Sequence, residues 1–369
     1  MSKAAELAAL IANVNKGSSL GNKNFVQNGS FQVWQRASAA TAQADGEYKT
    51  ADRWFGWVSG GGAYTTERST GNLADTGHEN ALKVAVTTAD TSIASGDYYA
   101  ITHRIEAQNL QSLQYGSANA KPVTLSFWVK ATKTGINTLS LTKDDSTAIR
   151  MVKEYTINSS DTWEYKTMTF VPDSSIKTAA SAIVDDNGRG FQLNWVLKYG
   201  STYNGTADAW TTSSHFTTTN GVNNMDSTSN TWYLTGVQLE IGEKATEFEH
   251  EPYEATFRKC QRYYHMRGAD SAYSYYGAGQ TDNTTAGRFY FDFPVEMNHA
   301  PALEQSANST LAVYATTSNV FSADATINNP SSWGSAISST VASGQTAGRG
   351  GSVIANNDAS AYLAFESEL

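Results

Sequence analysis

From residue 24 to about residue 251, apolar and polar positions alternate in short runs broken by Gly, Asn, Asp and Ser. The run from Trp232 to Gly242 puts Val237, Leu239 and Ile241 on one face and Gln238 and Glu240 on the other. That period of two belongs to a half-buried strand, whose successive side chains point to opposite sheet faces. Leu82, Val84 and Val86 share one face, Val123, Leu125, Phe127 and Val129 another, and Phe191, Leu193, Trp195 and Leu197 a third. Turn signals such as Ser59-Gly60-Gly61-Gly62 and Asp185-Asp186-Asn187-Gly188 separate the runs. The stretch from Phe25 to Arg36 also reads as a strand, and with Trp232 to Gly242 it would open and close one β-sandwich. Many short strands and almost no helix predict an all-β chain, with a jelly-roll β-sandwich over residues 23–251.

The pattern changes at both ends. Residues 1–22 hold the one strong helical signal: Leu7, Leu10, Ile11 and Val14 recur at i, i+3, i+4 and i+7, Ser2 can cap, and Gly17 follows as a stop. A helix this short is marginal alone in water and needs a partner. Residues 252–266 read as a helical connector with Phe257, Cys260 and Tyr264 on one side. Residues 267–369 form a smaller C-terminal β domain, in which Phe289, Phe291, Phe293 and Val295 alternate against polar partners. After Ala302 that segment thins into Ser, Thr, Ala, Asn and Gly. So thin a core is hard to stabilise alone, so the C-terminal domain is expected to be oligomeric, a homotrimer packed against its own copies.

Composition narrows the function. Only 17% of the 369 residues are charged, while nine Trp and nineteen Tyr call for burial or stacking rather than disorder. The net charge of −9 offers no basic footprint for nucleic acid. No apolar run approaches the roughly 20 residues of a bilayer span, which argues against membrane insertion. No secretory leader is read at the N-terminus. Cys260 is the single cysteine, so no disulfide framework exists.

Catalytic signatures are missing. There is no Gly-x-Ser-x-Gly elbow, phosphate loop or His-Glu-x-x-His, and Cys260 has only His265 nearby, out of helical phase. No two of the thirty-five acids stand out as a glycosidase pair. The chain is therefore read as a non-enzyme with no cofactor. The Asp185 to Gly190 turn offers oxygen ligands, which leaves room for a structural calcium, with ligands unassigned. Aromatic side chains in glycine-rich or polar loops are the candidate chemistry, since sugars stack their C–H surfaces on rings in concave sites. Trp54, Trp57, Tyr64, Tyr98, Tyr99 and Trp210 are the candidate glycan platform, and Trp128 and Trp195 are read as structural. Tyr273, Tyr275 and Tyr276 lie in a Gly/Ser-rich loop, the composition of adaptable recognition surfaces, and form a candidate tip.

Asn28-Gly29-Ser30-Phe31 with Trp34-Gln35-Arg36, then Ala51-Asp52-Arg53-Trp54, Val123 to Ala131, Val237 to Gly242 with Glu247-Phe248-Glu249, and Cys260-Gln261-Arg262-Tyr263-Tyr264 follow one another in a distinctive order. In this the chain resembles virion fibre proteins of tailed bacteriophages, the tail-fibre-like proteins of short-tailed phages above all, over residues 23–300. The resemblance implies a receptor-binding virion component whose jelly roll is similar to carbohydrate-binding modules. It implies that Leu7, Leu10, Ile11 and Val14 attach the chain to other virion proteins, and that a host surface glycan or receptor is the partner. The alternatives are an architectural capsid fibre, knob or tail adaptor that never touches the receptor, and a capsule-degrading enzyme.

Overall fold

The computed structural model describes residue 3 and residues 23–369 except 72, 74 and 75. The predicted attachment helix, with Leu7, Leu10, Ile11 and Val14, lies outside the described residues. The chain divides into two compact units, residues 1–256 and 257–369.

Among the described residues the first unit is a jelly-roll β-sandwich of eleven strands. These are β1 (Thr41–Ala42), β2 (Trp54–Ser59), β3 (Ala63–Ser69), β4 (Ala81–Thr88), β5 (Tyr98–Glu106) and β6 (Val123–Ala131). They continue as β7 (Gly135–Lys143), β8 (Ile149–Ile157), β9 (Glu164–Phe170), β10 (Arg189–Tyr199) and β11 (Thr231–Ile241). A six-stranded sheet runs β1-β3-β4-β11-β6-β9 and a five-stranded sheet β2-β5-β10-β7-β8. All pairings are antiparallel, so each sheet can hold one face against the core and one toward water. The alternation read from the sequence fills that core: Leu82, Val84, Leu125, Phe127, Leu193 and Trp195 are all buried between the sheets.

The stretch from Phe25 to Arg36 is not a strand. Asn28 (φ 55°) and Phe31 (φ 53°) take left-handed conformations that break an extended run. The Asn28 side chain holds the kink: its Nδ2 donates to the carbonyls of Val33 and Asp52, and its Oδ1 accepts the Val33 N–H. The segment still touches β11, through Phe25 N–H to Leu239 O at 2.9 Å and Val237 N–H to Gly29 O at 2.9 Å. Gly29 is required there, because a Cβ would collide with the Val237 carbonyl.

A short helix, α1, covers Tyr253–Gln261. It ends before the predicted 266, because Tyr264 opens a strand whose ladder runs to Glu366. The second unit consists of β12 (Tyr264–Gly268), β13 (Tyr275–Thr281), β14 (Ala286–Asp292), β15 (Ala302–Gln305) and β16 (Leu311–Tyr314). After these come β17 (Ser318–Asn328), β18 (Gly334–Val341), β19 (Gly350–Ala355) and β20 (Tyr362–Glu366). Six strands close a barrel, β13-β14-β18-β17-β16-β19, beside a three-stranded sheet, β12-β20-β15. Closure removes exposed sheet edges. Phe289, Phe291, Leu311, Ile337 and Val353 fill this unit's core, together with Leu363 and Phe365 from the small sheet.

Candidate functional site on the outer face of the five-stranded sheet

Alternation along β2 sends Trp54 and Val58 inward and Phe55 and Trp57 outward. Registration against β5 sets Ser59 opposite Tyr98, Trp57 opposite Ala100 and Phe55 opposite Thr102. A register shift between Val196 and Lys198 at the end of β10 then brings Tyr199 beside Tyr98 on the same outer face. The following loop folds back, with Phe216 N–H donating to Tyr203 O at 2.9 Å, and adds Tyr203 and Phe216.

These residues make one aromatic band. Ring centroids are 5.3 Å apart for Phe55 and Trp57, 6.1 Å for Trp57 and Tyr98, 5.9 Å for Tyr98 and Tyr199, and 5.7 Å for Tyr199 and Phe216. The edge-to-face and tilted arrangements are those that aromatic quadrupoles favour. The Arg104 guanidinium lies 4.5 Å over the Phe55 ring and 5.8 Å from that of Trp57, a cation–π arrangement. Arg150 caps the far end, 4.7 Å over Phe216, and donates to Ser213 O.

Beside the band, on the same sheet face, lies a buried polar network. Asn194 Oδ1 accepts from Thr102 Oγ1 at 2.8 Å and from Gln192 Nε2 at 3.0 Å, and Asn194 Nδ2 donates to Ser140 Oγ at 3.1 Å. Arg104 Nε donates to Gln192 Oε1 at 3.1 Å. Such a closed network holds its members in one geometry. Burial, then Tyr203, Tyr98 and Asp45, pushes the Tyr199 phenol far above its ordinary value. Tyr98 is also raised, by burial first and then by Asp45, whose carboxylate accepts its hydroxyl. The band thus offers neutral rings with a guanidinium at each end, Arg104 and Arg150. Trp57, Tyr98, Tyr203 and Phe216 keep part of their rings at the surface, while Phe55, Tyr199 and the Asn194 network lie buried beneath them.

Of the predicted platform residues, the structure brings together Trp57 and Tyr98. Trp54, Tyr64 and Tyr99 point the other way and are buried between the sheets. Each hydroxyl or ring N–H there finds an internal acceptor: Tyr64 OH donates to Ala100 O, Tyr99 OH to Asp90 Oδ2, and Trp54 Nε1 to Asn28 O. Trp210 is buried as well, packed near Phe170 with Nε1 donating to Val171 O at 2.8 Å. Those four are core residues, because strand parity and sheet register, not loop composition, decide which ring faces water. Tyr199, Tyr203 and Phe216 were missed. The Tyr-x-x-x-Tyr spacing across the end of a strand was the only signal, and it does not announce a fold-back.

In the C-terminal unit Tyr273 and Tyr275 are exposed, at 52% and 66%. Tyr276 is buried instead, donating to Ala361 O at 2.6 Å, as period two demands of Tyr275's neighbour. The Asp185 to Gly190 turn uses its own carboxylate internally, Asp186 Oδ1 accepting the Gly188 N–H. Among the described residues no three His, Cys, Asp or Glu side chains gather as a metal centre would need. Cys260 is buried.

No known family profile and no curated protein matches this chain. Among solved structures it is similar to the family 11 carbohydrate-binding module of the cellulosomal cellulase Lic26A-Cel5E of Clostridium thermocellum, at 12% identity over 57% of this chain and 99% of that one, TM-score 0.29. It is similar to TmCBM61 in complex with β-1,4-galactotriose, at 10% identity over 60% of this chain and 100% of that one, TM-score 0.29. It is also similar to the enzymatically active domain of tailspike protein 4 of bacteriophage CBA120, at 13% identity over 60% of this chain and 22% of that one, TM-score 0.30. The fold of the present chain rests on its own strand order, given above.

Proposed function

We propose that this chain is a non-catalytic glycan-binding protein of a phage virion, a tail fibre component that recognises the bacterial host surface. The observation that carries the binding half is the aromatic band from Phe55 to Phe216, whose Trp57, Tyr98, Tyr203 and Phe216 rings are half-buried and reach the surface of one sheet face. The virion half rests on the resemblance of the ordered motifs to tail-fibre-like proteins. Several weak sites on one particle would act together, because linked sites see each other at high effective concentration. Self-association, as a trimer, is assigned to the C-terminal unit, where Tyr275, Tyr290 and Trp333 expose 66%, 59% and 62% of their surface.

The test is titration of host envelope oligosaccharides into the full chain and its Trp57→Ala variant, followed by calorimetry. Removing a ring that acts as a binding anchor costs about 2 kcal/mol or more, roughly thirtyfold in Kd. Far-UV circular dichroism should not change, since Trp57 is only half-buried. Equal affinity in the two proteins would refute the band as the site. Gold labelling of intact particles at the tail would support the fibre role, and labelling at capsid vertices would replace it.

A further inference from the structure

The outer face of the six-stranded sheet carries a groove of about 860 Å³. Its floor is made by β6 and β9 in register: Trp128 stands opposite Tyr165, Ser126 opposite Thr167 and Thr124 opposite Thr169. Trp128 and Tyr165 form a ring pair 5.3 Å apart at one end. The hydroxyls of Ser126 and Thr167 find no hydrogen-bond partner among the described residues. Next to Trp128, across Gly236, stands a wall of aromatic rings, His78, Phe248 and His250, with centroids 4.7 to 5.4 Å apart.

Two devices build this groove. The first is a β-bulge in β11, where the register with β6 shifts between Thr235 and Gln238 and Gly236 takes φ +59°. Bulges of this kind re-aim side chains beside sites. The second is the segment 243–250, folded back over the sheet and tied to it. Glu240 Oε1 accepts the Thr246 N–H, Glu240 Oε2 accepts Thr246 Oγ1, and Gln238 Oε1 accepts the Glu249 N–H, each at 2.8 Å. Gln238 and Glu240 are themselves buried under it. The wall is therefore held in place before any ligand arrives. Burial first, and His250 second, hold His78 down at about 4, so its ring is uncharged at neutral pH.

A concave space of this size lies within the range of about 300 to 1,000 Å³ for small-molecule sites. Rings and an uncharged imidazole at one end and unused hydroxyls along the floor match a polyhydroxylated ligand, and Glu243, Lys244 and Glu247, which also line the groove, supply both signs of charge rather than a site for one. We propose that the groove is a second glycan site, taking a short neutral oligosaccharide, on the opposite sheet from the aromatic band. The sandwich is then bivalent within one chain. This rests on the glycan-binding reading above.

The experiment titrates neutral gluco- and galacto-oligosaccharides of three to six units into the full chain by calorimetry. It is repeated for Trp57→Ala, Trp128→Ala, Tyr165→Ala and the Trp57→Ala/Trp128→Ala pair. The wild type should bind two equivalents, each single Trp variant one, and the pair none. Tyr165 is 45% exposed, so Tyr165→Ala removes a groove ring with little risk to folding and should weaken the same site at least tenfold. One equivalent in the wild type, with Trp128→Ala and Tyr165→Ala both unchanged, overturns the groove while leaving the band intact. Binding lost in Trp128→Ala but unaffected in Trp57→Ala supports the groove and removes the band. Silence of the wild type across the whole set overturns both.

Discussion

Gly236→Ala is the sharpest probe of the bulge, because the structure opposes a side chain there in two independent ways. The backbone has φ +59°, and placing an L-residue with a Cβ in that region costs about 1–2 kcal/mol. The new Cβ would also lie far inside van der Waals contact of His78 Nε2, 2.9 Å from its Cδ2 and 3.1 Å from Trp128 Cδ1. His78 is 9% exposed and wedged by Phe248 and His250, so its ring cannot swing away freely. Overpacking of this kind adds about 1–3 kcal/mol. Together the two amount to about 2–5 kcal/mol. For a unit of this size each kcal/mol lowers Tm by roughly 2–4 °C, so a fall of about 5–15 °C is expected in thermal unfolding followed by near-UV circular dichroism. His78→Ala in the same chain should recover the steric part and leave the backbone part, a coupling that a double-mutant cycle isolates. An unchanged Tm in Gly236→Ala, or no recovery in the double variant, would refute the wedge.

Three buried histidines predict an acid-labile fold. Burial lowers His78 and His265 from 6.5 to about 4 and lowers His103 well below 6.5. Below about pH 6.5 the unfolded chain binds protons that the folded chain refuses, so stability should fall as pH drops from 6.5 toward 4, by up to about 2–3 kcal/mol for the well-buried His265. Flat urea midpoints across that window would contradict it. Asn28→Ala removes three hydrogen bonds and puts alanine on a left-handed backbone that asparagine tolerates better, a loss of about 2–4 kcal/mol. A urea midpoint shift below about 0.5 kcal/mol equivalent would show that the kink is held elsewhere.

Local alternation was enough to define the strands and their apolar faces. Leu82 and Val84, Val123 to Val129, and Phe191 to Leu197 are buried as their period of two requires, because a residue's side of the pleat follows from its neighbours alone. By the same parity Trp128, next to the buried Phe127, lies on the outer face of β6 opposite Tyr165. What local pattern could not decide was which surface each aromatic would meet. Tyr98 and Tyr99 must face opposite ways, yet only pairing with β2 and β10 makes Tyr98 the outer one and buries Tyr99 against the second sheet. Tyr64 and Trp54 look like loop-edge platforms in one dimension and are core in three. The band unites Phe55 with Phe216, and the groove unites His78 with Trp128 and Phe248. Those meetings depend on register, a bulge and folded-back loops, which are set by contacts between residues far apart in the chain and leave no local trace.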